Sequence, residues 1–97
     1  MAYVYKHIRL DTNEIFYIGV GSDKPYYKRA RTQYSRNKHW KNIVNKTSYK
    51  IEIIKDDLDF NSALLLEIEL IAKYKFISDG GTLVNYTKGG QGQLGLT

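Results

Sequence analysis

Two short segments near the start of the chain, residues 3–10 and 15–20, are rich in aromatic and β-branched residues, and a polar stretch separates them. Such segments are typical of β-strands, in which successive side chains point to opposite faces. The polar residues 11–14 between the two segments favour a turn, so we expect a β-hairpin. One face of its first strand would present phenols, an imidazole and a guanidinium together, from Tyr3, Tyr5, His7 and Arg9.

The remaining pattern predicts helices and one further strand. Pro25 suits the first turn of a helix, and Asn37 is a good N-cap for another. In order, the predicted elements are a helix over residues 26–34, a short helix after Asn37, a strand over residues 49–54, a long helix from Asn61 or Ser62 to Tyr74, a loop at 79–81 and an extended piece at 83–86. The sequence therefore predicts an α/β (α+β) fold, in which about three helices flank a small, mainly antiparallel three-stranded sheet. Its 97 residues, 1–97, suit a single domain with one modest core.

The long helix carries a carboxylate in an unexpected position. On a helical wheel, one broad apolar face collects Ala63, Leu64, Leu66, Ile68, Leu70, Ile71 and Tyr74. Glu67 falls near the middle of that face, whereas Glu69 lies outside it beside Lys73, as an i, i+4 surface pair. A carboxylate in an apolar stripe needs a compensating partner. A divalent cation, a buried salt bridge and a stripe that opens into water at its edge would each meet that need.

Positive charge is concentrated in one segment. Nine of the fifteen lysines and arginines lie between residues 24 and 50, where no Asp or Glu occurs, and aromatic residues are interleaved with them. This pattern favours a polyanionic partner, because cations neutralise phosphates and aromatic rings stack on unpaired bases. A solvated basic face is the alternative. Candidate nucleic-acid contacts are Lys28, Arg31, Arg36, Lys38, Lys41 and Lys46.

Composition narrows the class of protein further. The chain has no cysteine, so neither a disulfide nor a thiolate metal site is available to it. No stretch approaches the ~20 apolar residues that a membrane-spanning helix needs, and the first residues do not resemble a signal peptide. We therefore expect a soluble, intracellular (cytoplasmic) protein without a membrane partner.

Five positions along the chain resemble a known nuclease family. Tyr17-Ile18-Gly19 follows a strand that contains Tyr3-Val4-Tyr5, and Arg29 stands in Lys28-Arg29-Ala30-Arg31. Glu67 lies on the long helix, and Asn85 stands in Leu83-Val84-Asn85-Tyr86-Thr87. In this order and spacing the residues resemble the GIY-YIG nucleases, whose two tyrosines on neighbouring strands flank a phosphodiester. Tyr3 occupies the position where that family usually has glycine.

The resemblance implies metal-dependent hydrolysis of phosphodiester bonds in DNA, single-stranded or branched DNA included. Glu67 would hold one Mg²⁺ or Mn²⁺ ion, and Arg29 would contact the scissile phosphate. Tyr5 would act as general base, with cations or the metal favouring its ionised form. Tyr17 would orient the water or the phosphate, and Asn85 would brace the site. His7 and Arg31 are accessory candidates.

Simpler interpretations of the same residues stay open. Each tyrosine would also suit a strand aromatic packed on its neighbour, and Asn85 a turn that bonds its own backbone. The alternative function is a catalytically inactive nucleic-acid-binding domain with an accessory or regulatory role. We expect sequence specificity to be low, or to come from self-association or from a separate partner.

Overall fold

The computed structural model describes residues 2–22, 27–33 and 36–85. Its elements are β1 (Ala2–Arg9), β2 (Glu14–Gly21), α1 (Lys28–Arg31), α2 (Lys38–Lys46), β3 (Tyr49–Leu58), α3 (Phe60–Tyr74) and a 3₁₀ turn (Ile77–Asp79). The strands form one sheet in the order β2-β1-β3, and β1 is antiparallel to both neighbours. The prediction of an α+β fold with a three-stranded antiparallel sheet and three helices is confirmed.

A β-bulge in β2 shapes the hairpin. His7 pairs with Tyr17 and Ile8 pairs with Ile15, so Phe16 is an extra residue opposite β1. Because a bulge breaks the alternation of side chains, Phe16 and Tyr17 both contact the ring of His7. The next residue, Ile18, is buried on the opposite face of the sheet. The bulge therefore places two neighbouring aromatic residues on one face.

The sheet is covered on both faces. We call the side that carries Tyr3, Tyr5, His7 and Tyr17 the tyrosine face; α1 and α2 cover it through Ala30, Trp40 and Ile43. The opposite side packs against α3, where Val4 and Ile18 meet Ala63 and Ile71. Tyr3, Tyr5 and His7 are consequently buried. The prediction of a face that presents these side chains openly is thus replaced by an aromatic layer inside the protein.

The first helix and the third strand have boundaries that differ from the prediction. The first helix is a single turn over Lys28–Arg31, because Tyr27 at its start has a left-handed backbone (φ 51°) and Thr32 at its end is extended. Residues 26 and 34, at the limits predicted for it, lie outside the described part of the chain. The third strand continues through Asp56 and Asp57 to Leu58, with irregular pairing. Register shifts, which a sequence pattern does not encode, allow this longer strand.

Side-chain caps set the starts of the two longer helices. The carboxylate of Asp59 accepts hydrogen bonds from the backbone N–H and the hydroxyl of Ser62, so the N-cap of α3 is Asp59 and not Asn61 or Ser62. The end of this helix at Tyr74 is as predicted. Asn37 caps α2 as predicted, through a 2.8 Å bond that its Oδ1 accepts from the Trp40 backbone N–H.

The exposed side of α3 carries apolar residues as well as the charged pair Glu69 and Lys73. Leu65 and Ile68 are exposed, so Ile68 lies outside the buried face predicted for it. Among the described residues, no helix is both long enough and apolar enough to cross a membrane.

Candidate functional site

Tyr5 lies at the centre of the tyrosine face and is 1% exposed. Its hydroxyl accepts a 2.9 Å hydrogen bond from Nη1 of Arg36. Burial raises the pKa of Tyr5 to about 12, and the nearby Arg36 guanidinium offsets only part of that effect. The nearby cations favour the ionised phenol as expected, but burial outweighs them, so Tyr5 is a neutral phenol in this structure.

His7 is fully buried beside Tyr5, and both of its ring nitrogens are bonded. The indole N–H of Trp40 donates to Nδ1 at 2.9 Å, and Nε2 lies 2.7 Å from the Ala30 carbonyl oxygen. Since an indole only donates and a carbonyl only accepts, His7 is the neutral tautomer with its proton on Nε2. Burial lowers the pKa of His7 to about 4. His7 thus ties β1 to both covering helices, and neither nitrogen is open to act as the accessory base predicted for it.

Arg36 is the residue whose position differs most from the prediction of a surface phosphate contact. Its side chain is buried and lies across the end of α1, where Nε donates to the Thr32 carbonyl at 2.9 Å and Nη2 to the Arg29 carbonyl at 2.6 Å. These carbonyls lie at the C-terminal end of α1, where helix carbonyls lack the usual i+4 donor, and the Arg29 carbonyl also accepts a 3.4 Å bond from the Thr32 N–H. The guanidinium carbon also lies between 5.1 and 5.7 Å from the ring centroids of Tyr5, Tyr17 and Trp40. Arg36 therefore joins α1 to the tyrosine face.

In the described part of the chain Arg36 has no carboxylate partner, and its polar contacts are the two carbonyl groups and the Tyr5 hydroxyl. A buried cation with oxygen acceptors and aromatic faces around it costs much less than one without partners. The net positive charge remains under the aromatic layer. An anion at the adjacent surface would be attracted by it.

Tyr17 is the more accessible of the two tyrosines that the sequence singled out. It is half-buried on the edge strand β2, and its ring stacks on that of His7 with centroids 5.6 Å apart. The ring centroids of Tyr17 and Tyr5 are 6.4 Å apart. The structure therefore brings the two tyrosines together, with Arg36 beside both.

Asn85 is fixed to the outer edge of β2, next to Tyr17. Its Oδ1 accepts a 3.1 Å hydrogen bond from the Ile18 N–H, and its Nδ2 donates a 2.7 Å bond to the Ile18 carbonyl. The Val84 N–H donates to the Phe16 carbonyl at 2.9 Å, so the segment follows the strand edge. The amide thus replaces a neighbouring strand at one peptide of β2, rather than bonding its own backbone in a turn.

Arg29 and Arg31 lie on α1 and are exposed, as is Lys28. A β-carbon built on Gly21 would lie 3.0 Å from Cβ of Arg29, so Arg29 starts directly above the end of β2. Its carbonyl is one of the two that Arg36 binds. Arg29 is thereby anchored over the strand that carries Tyr17.

Glu67 is half-buried on α3, on the side of the sheet opposite to Tyr5. Ala63 and Ile71, one turn before and one turn after it, pack in the same cluster as Ile18. Glu69 is exposed, so the predicted orientation of the two glutamates is confirmed. Glu67 therefore lies on the turn of α3 that packs against Ile18, the residue that follows Tyr17.

The remaining basic candidates lie on the outer side of α2. Lys38, Lys41 and Lys46 are exposed, while Trp40 and Ile43 of the same helix are buried. No acidic residue occurs in this helix. The positive side of α2 thus faces away from the aromatic layer that its other side covers.

The sequence alone did not reveal that Arg36 joins α1 to the tyrosine face or that Trp40 bonds to His7. Arg36 lies in a run of cations and looks like any solvated charge, and Trp40 looks like a core residue. The bond from Arg36 to Tyr5 joins residues 31 positions apart, and the bond from Trp40 to His7 joins residues 33 positions apart. No local signal identifies contacts of this kind.

Metal binding by several ligands has no support among residues 2–22, 27–33 and 36–85, which contain no group of three or more acidic, histidine or cysteine side chains able to hold an ion together. A single carboxylate is compatible with Mg²⁺, which keeps most of its water ligands in proteins. Glu67 is thus the candidate to test.

Comparison with known proteins gives no match to a protein-family model, to a curated protein or to a solved structure. The function of this chain is therefore inferred from its own residues.

Proposed function

We propose that this chain is a divalent-metal-dependent endonuclease that hydrolyses phosphodiester bonds in DNA. The observation that carries the proposal is the meeting of Tyr17 and Asn85 at one peptide of β2, with Glu67 on the helix that packs against the other face of the same strand. Tyr17 precedes Ile18, Asn85 binds the Ile18 peptide from the strand edge, and Ile18 itself packs on the turn of α3 that holds Glu67. Tyr17 and Asn85 thus lie together at this edge of the sheet, and the turn of α3 that carries Glu67 packs on Ile18 from the opposite face.

Cations on the tyrosine face would attract the substrate. Arg29 extends from above the end of β2, and Arg31 and Lys28 lie beside it on α1. The planar guanidinium of Arg29 matches two phosphate oxygens at once, and the buried charge of Arg36 adds to the field at this surface. Lys38, Lys41 and Lys46 extend the positive surface along α2. Contacts of this kind bind the sugar-phosphate backbone without reading sequence.

Glu67 is the proposed ligand of one Mg²⁺ or Mn²⁺ ion. When bound, the ion would offset negative charge on the phosphate and on the leaving oxygen. The position of Glu67 on an otherwise apolar face supports this assignment, because a half-buried carboxylate gains from a nearby cation.

The two tyrosines take different parts in the proposal. Because burial raises the pKa of Tyr5 to about 12, its phenol is neutral at pH 7 and would be a poor proton acceptor. Tyr17 is partly exposed on the edge strand, which supports a role in which its hydroxyl contacts water or phosphate. Tyr5 would hold Arg36 in position through its hydroxyl.

Cleavage assays test the proposal directly. Labelled single-stranded, duplex and branched DNA, and RNA, would be incubated with the purified protein and Mg²⁺, Mn²⁺ or EDTA. We expect DNA to be cut with either metal and not with EDTA. Glu67→Ala should abolish cleavage while DNA binding persists, and Glu69→Ala, which changes an exposed carboxylate on the same helix, should cut like the wild type. Equal turnover by the folded Glu67→Ala variant would remove Glu67 from the site.

A binding domain without activity is the second candidate, and the burial of Tyr5 and His7 favours it. Both side chains have their polar atoms engaged inside the protein, in contacts that a purely structural aromatic layer would also make. The basic surface would then bind DNA while no metal supported cleavage. Salt-dependent binding without cleavage of any of these substrates would establish this second function.

A further inference from the structure

A groove borders the candidate site at Asn85. It has a volume of about 390 Å³ and lies between α2, the 3₁₀ turn and the segment that reaches β2. Its lining includes His39, Phe76, Ser78, Leu83, Val84 and Asn85. Sites for small organic molecules have volumes of about 300–1,000 Å³, so the groove is at the small end of that range.

Hydrogen bonds hold the walls of this groove in place. The Val84 carbonyl accepts a 2.9 Å bond from Nδ2 of Asn37, the N-cap of α2. The Ile77 N–H donates to the Leu83 carbonyl, and the Leu83 N–H donates to the Lys75 carbonyl, both at 3.0 Å. Val84 is in turn bonded to β2. The groove is therefore a preformed feature, built from segments that are each tied to a neighbour.

The lining combines an apolar floor with polar groups. Leu83 and Val84 are buried, and Phe76 is half-buried. His39, Ser78 and Asn85 add a ring nitrogen, a hydroxyl and an amide. A nucleobase has the matching character, since its faces are apolar and stack on aromatic rings while its edges carry hydrogen-bonding groups.

Charge favours an anionic ligand over a neutral apolar one. His39 belongs to α2, whose exposed residues include Lys38 and Lys41 and which contains no acidic residue. A nucleotide would place its base on the apolar floor and its phosphate toward these cations. A neutral aromatic compound would gain nothing from them.

Asn85 connects the groove to the candidate site. Its side chain lines the groove and binds the Ile18 peptide, which follows Tyr17 directly. A nucleotide in the groove would therefore lie beside the phosphate that the proposed reaction cleaves. Only an unpaired or flipped-out base is free to enter such a groove, because a stacked and paired base is not accessible from the side.

We propose that this groove binds one unpaired nucleobase of the DNA strand whose phosphate lies at Tyr17, so that the preferred substrate is single-stranded, frayed or branched. The inference rests on the proposed function, of which it specifies the substrate class.

A titration without metal tests the groove independently of cleavage. Protein with isotope-labelled methyl groups would be titrated in EDTA with deoxyadenosine monophosphate and, separately, with deoxyribose 5-phosphate, which lacks the base. We expect the nucleotide to shift the methyl signals of Ile77, Leu83 and Val84, and deoxyribose 5-phosphate to leave them unchanged. Equal shifts with both ligands, or no shift at millimolar nucleotide, would overturn the proposal. If the protein binds the nucleotide in this groove but cuts no DNA, the proposed groove stands and the proposed nuclease activity is refuted.

Variants give the matched comparison. Phe76→Leu keeps an apolar side chain of similar size but removes the aromatic face, and His39→Ala removes an exposed polar group of the lining. Each should weaken nucleotide binding about tenfold, in line with the loss of stacking or of one hydrogen bond. Asn42→Ala changes an exposed residue of α2 that does not line the groove and should bind like the wild type. Unchanged nucleotide affinity in folded His39→Ala and Phe76→Leu proteins would contradict the assignment of the groove. If Phe76→Leu does not fold, the affinity of His39→Ala alone decides the test.

Discussion

The hydroxyl of Tyr5 lies directly over Gly19, so closely that a β-carbon on Gly19 would be 2.3 Å from it. The same relationship recurs two residues along, where a β-carbon on Gly21 would be 2.4 Å from the hydroxyl of Tyr3. Both pairs are direct neighbours in the antiparallel register of β1 and β2. The two glycines of β2 therefore provide the space in which the two tyrosines of β1 lie flat on the sheet. Packing against Tyr5 therefore explains the glycine of Tyr17-Ile18-Gly19, whether or not these three residues take part in catalysis.

Gly19→Ala should destabilise the protein. The added methyl group would collide with a fully buried tyrosine, and overpacking of a core commonly costs about 1–3 kcal/mol of the free energy of unfolding. Denaturant unfolding, followed by the fluorescence of the single tryptophan, measures the loss. Ser22→Ala, at an exposed position just after the same strand, is the control and should change stability by less than about 0.5 kcal/mol. A Gly19→Ala protein as stable as the wild type would mean that the Tyr5 ring moves aside freely.

Arg36→Lys should be strongly destabilising although it keeps the positive charge. A lysine ammonium is too compact to span the Tyr5 hydroxyl and the Thr32 and Arg29 carbonyls, so we expect two of the three hydrogen bonds to be lost. At about 1.5–3 kcal/mol for each bond to a charged group, the expected loss is at least about 3 kcal/mol.

Thermal or denaturant unfolding of Arg36→Lys would be compared with that of Arg31→Lys, an exposed arginine of the same segment. The control should lie within about 0.5 kcal/mol of the wild type. If both variants unfold alike, Arg36 does not hold α1 to the sheet.

Mild acid should weaken the fold through His7. Its pKa is about 4 in the folded protein against 6.5 for a free histidine, so between these values the unfolded chain binds more protons than the folded one. The free energy of unfolding therefore falls as the pH drops from about 6.5 toward 4, by about 3 kcal/mol in all. Above pH 6.5 the contribution is fully present.

Denaturant unfolding at several pH values between 5 and 6.5 measures this slope. The carboxyl group of Asp59, whose pKa is lowered by its bonds to Ser62, titrates below this window and does not interfere. His7→Gln should flatten the slope because glutamine does not titrate. His39→Gln, which changes the exposed histidine, should retain the slope. A wild-type protein whose stability is flat across this range would contradict the assignment of a buried neutral His7.

Substitution of the two tyrosines separates chemistry from packing. Tyr17→Phe should slow DNA cleavage by at least about 10²-fold if its hydroxyl contacts the water or the phosphate, the lower end of the usual range for proton-transfer groups. Tyr5→Phe should instead lower stability by about 1–3 kcal/mol, since it leaves a guanidinium N–H of Arg36 without its acceptor. Single-turnover cleavage at saturating protein, together with unfolding of both variants, provides the comparison. The reverse order, with Tyr5→Phe folded and the slower enzyme, would assign the base to Tyr5.

Local patterns were sufficient wherever an element is stabilised by its own sequence. Two aromatic-rich segments around a polar stretch predicted the hairpin, Asn37 predicted the start of α2, and the apolar stripe of α3 predicted which glutamate faces inward. These features depend on periodicity and capping, which involve residues no more than a few positions apart. Asp59 shows the limit of such reasoning, because several residues near a helix start are good caps and only the backbone geometry selects one.

The environment of the candidate site was decided by tertiary structure. The sequence by itself determined that Tyr5, His7 and Arg36 are present and that the first two share a strand face, but it suggested an open polar surface and a solvated arginine. Folding covers that face with α1 and α2, which makes Tyr5 a neutral phenol, fixes the proton of His7 on Nε2 and turns Arg36 inward. Each outcome depends on which distant groups replace water around a polar atom. That exchange of solvent for protein partners sets pKa and hydrogen bonding, and neither composition nor periodicity records it.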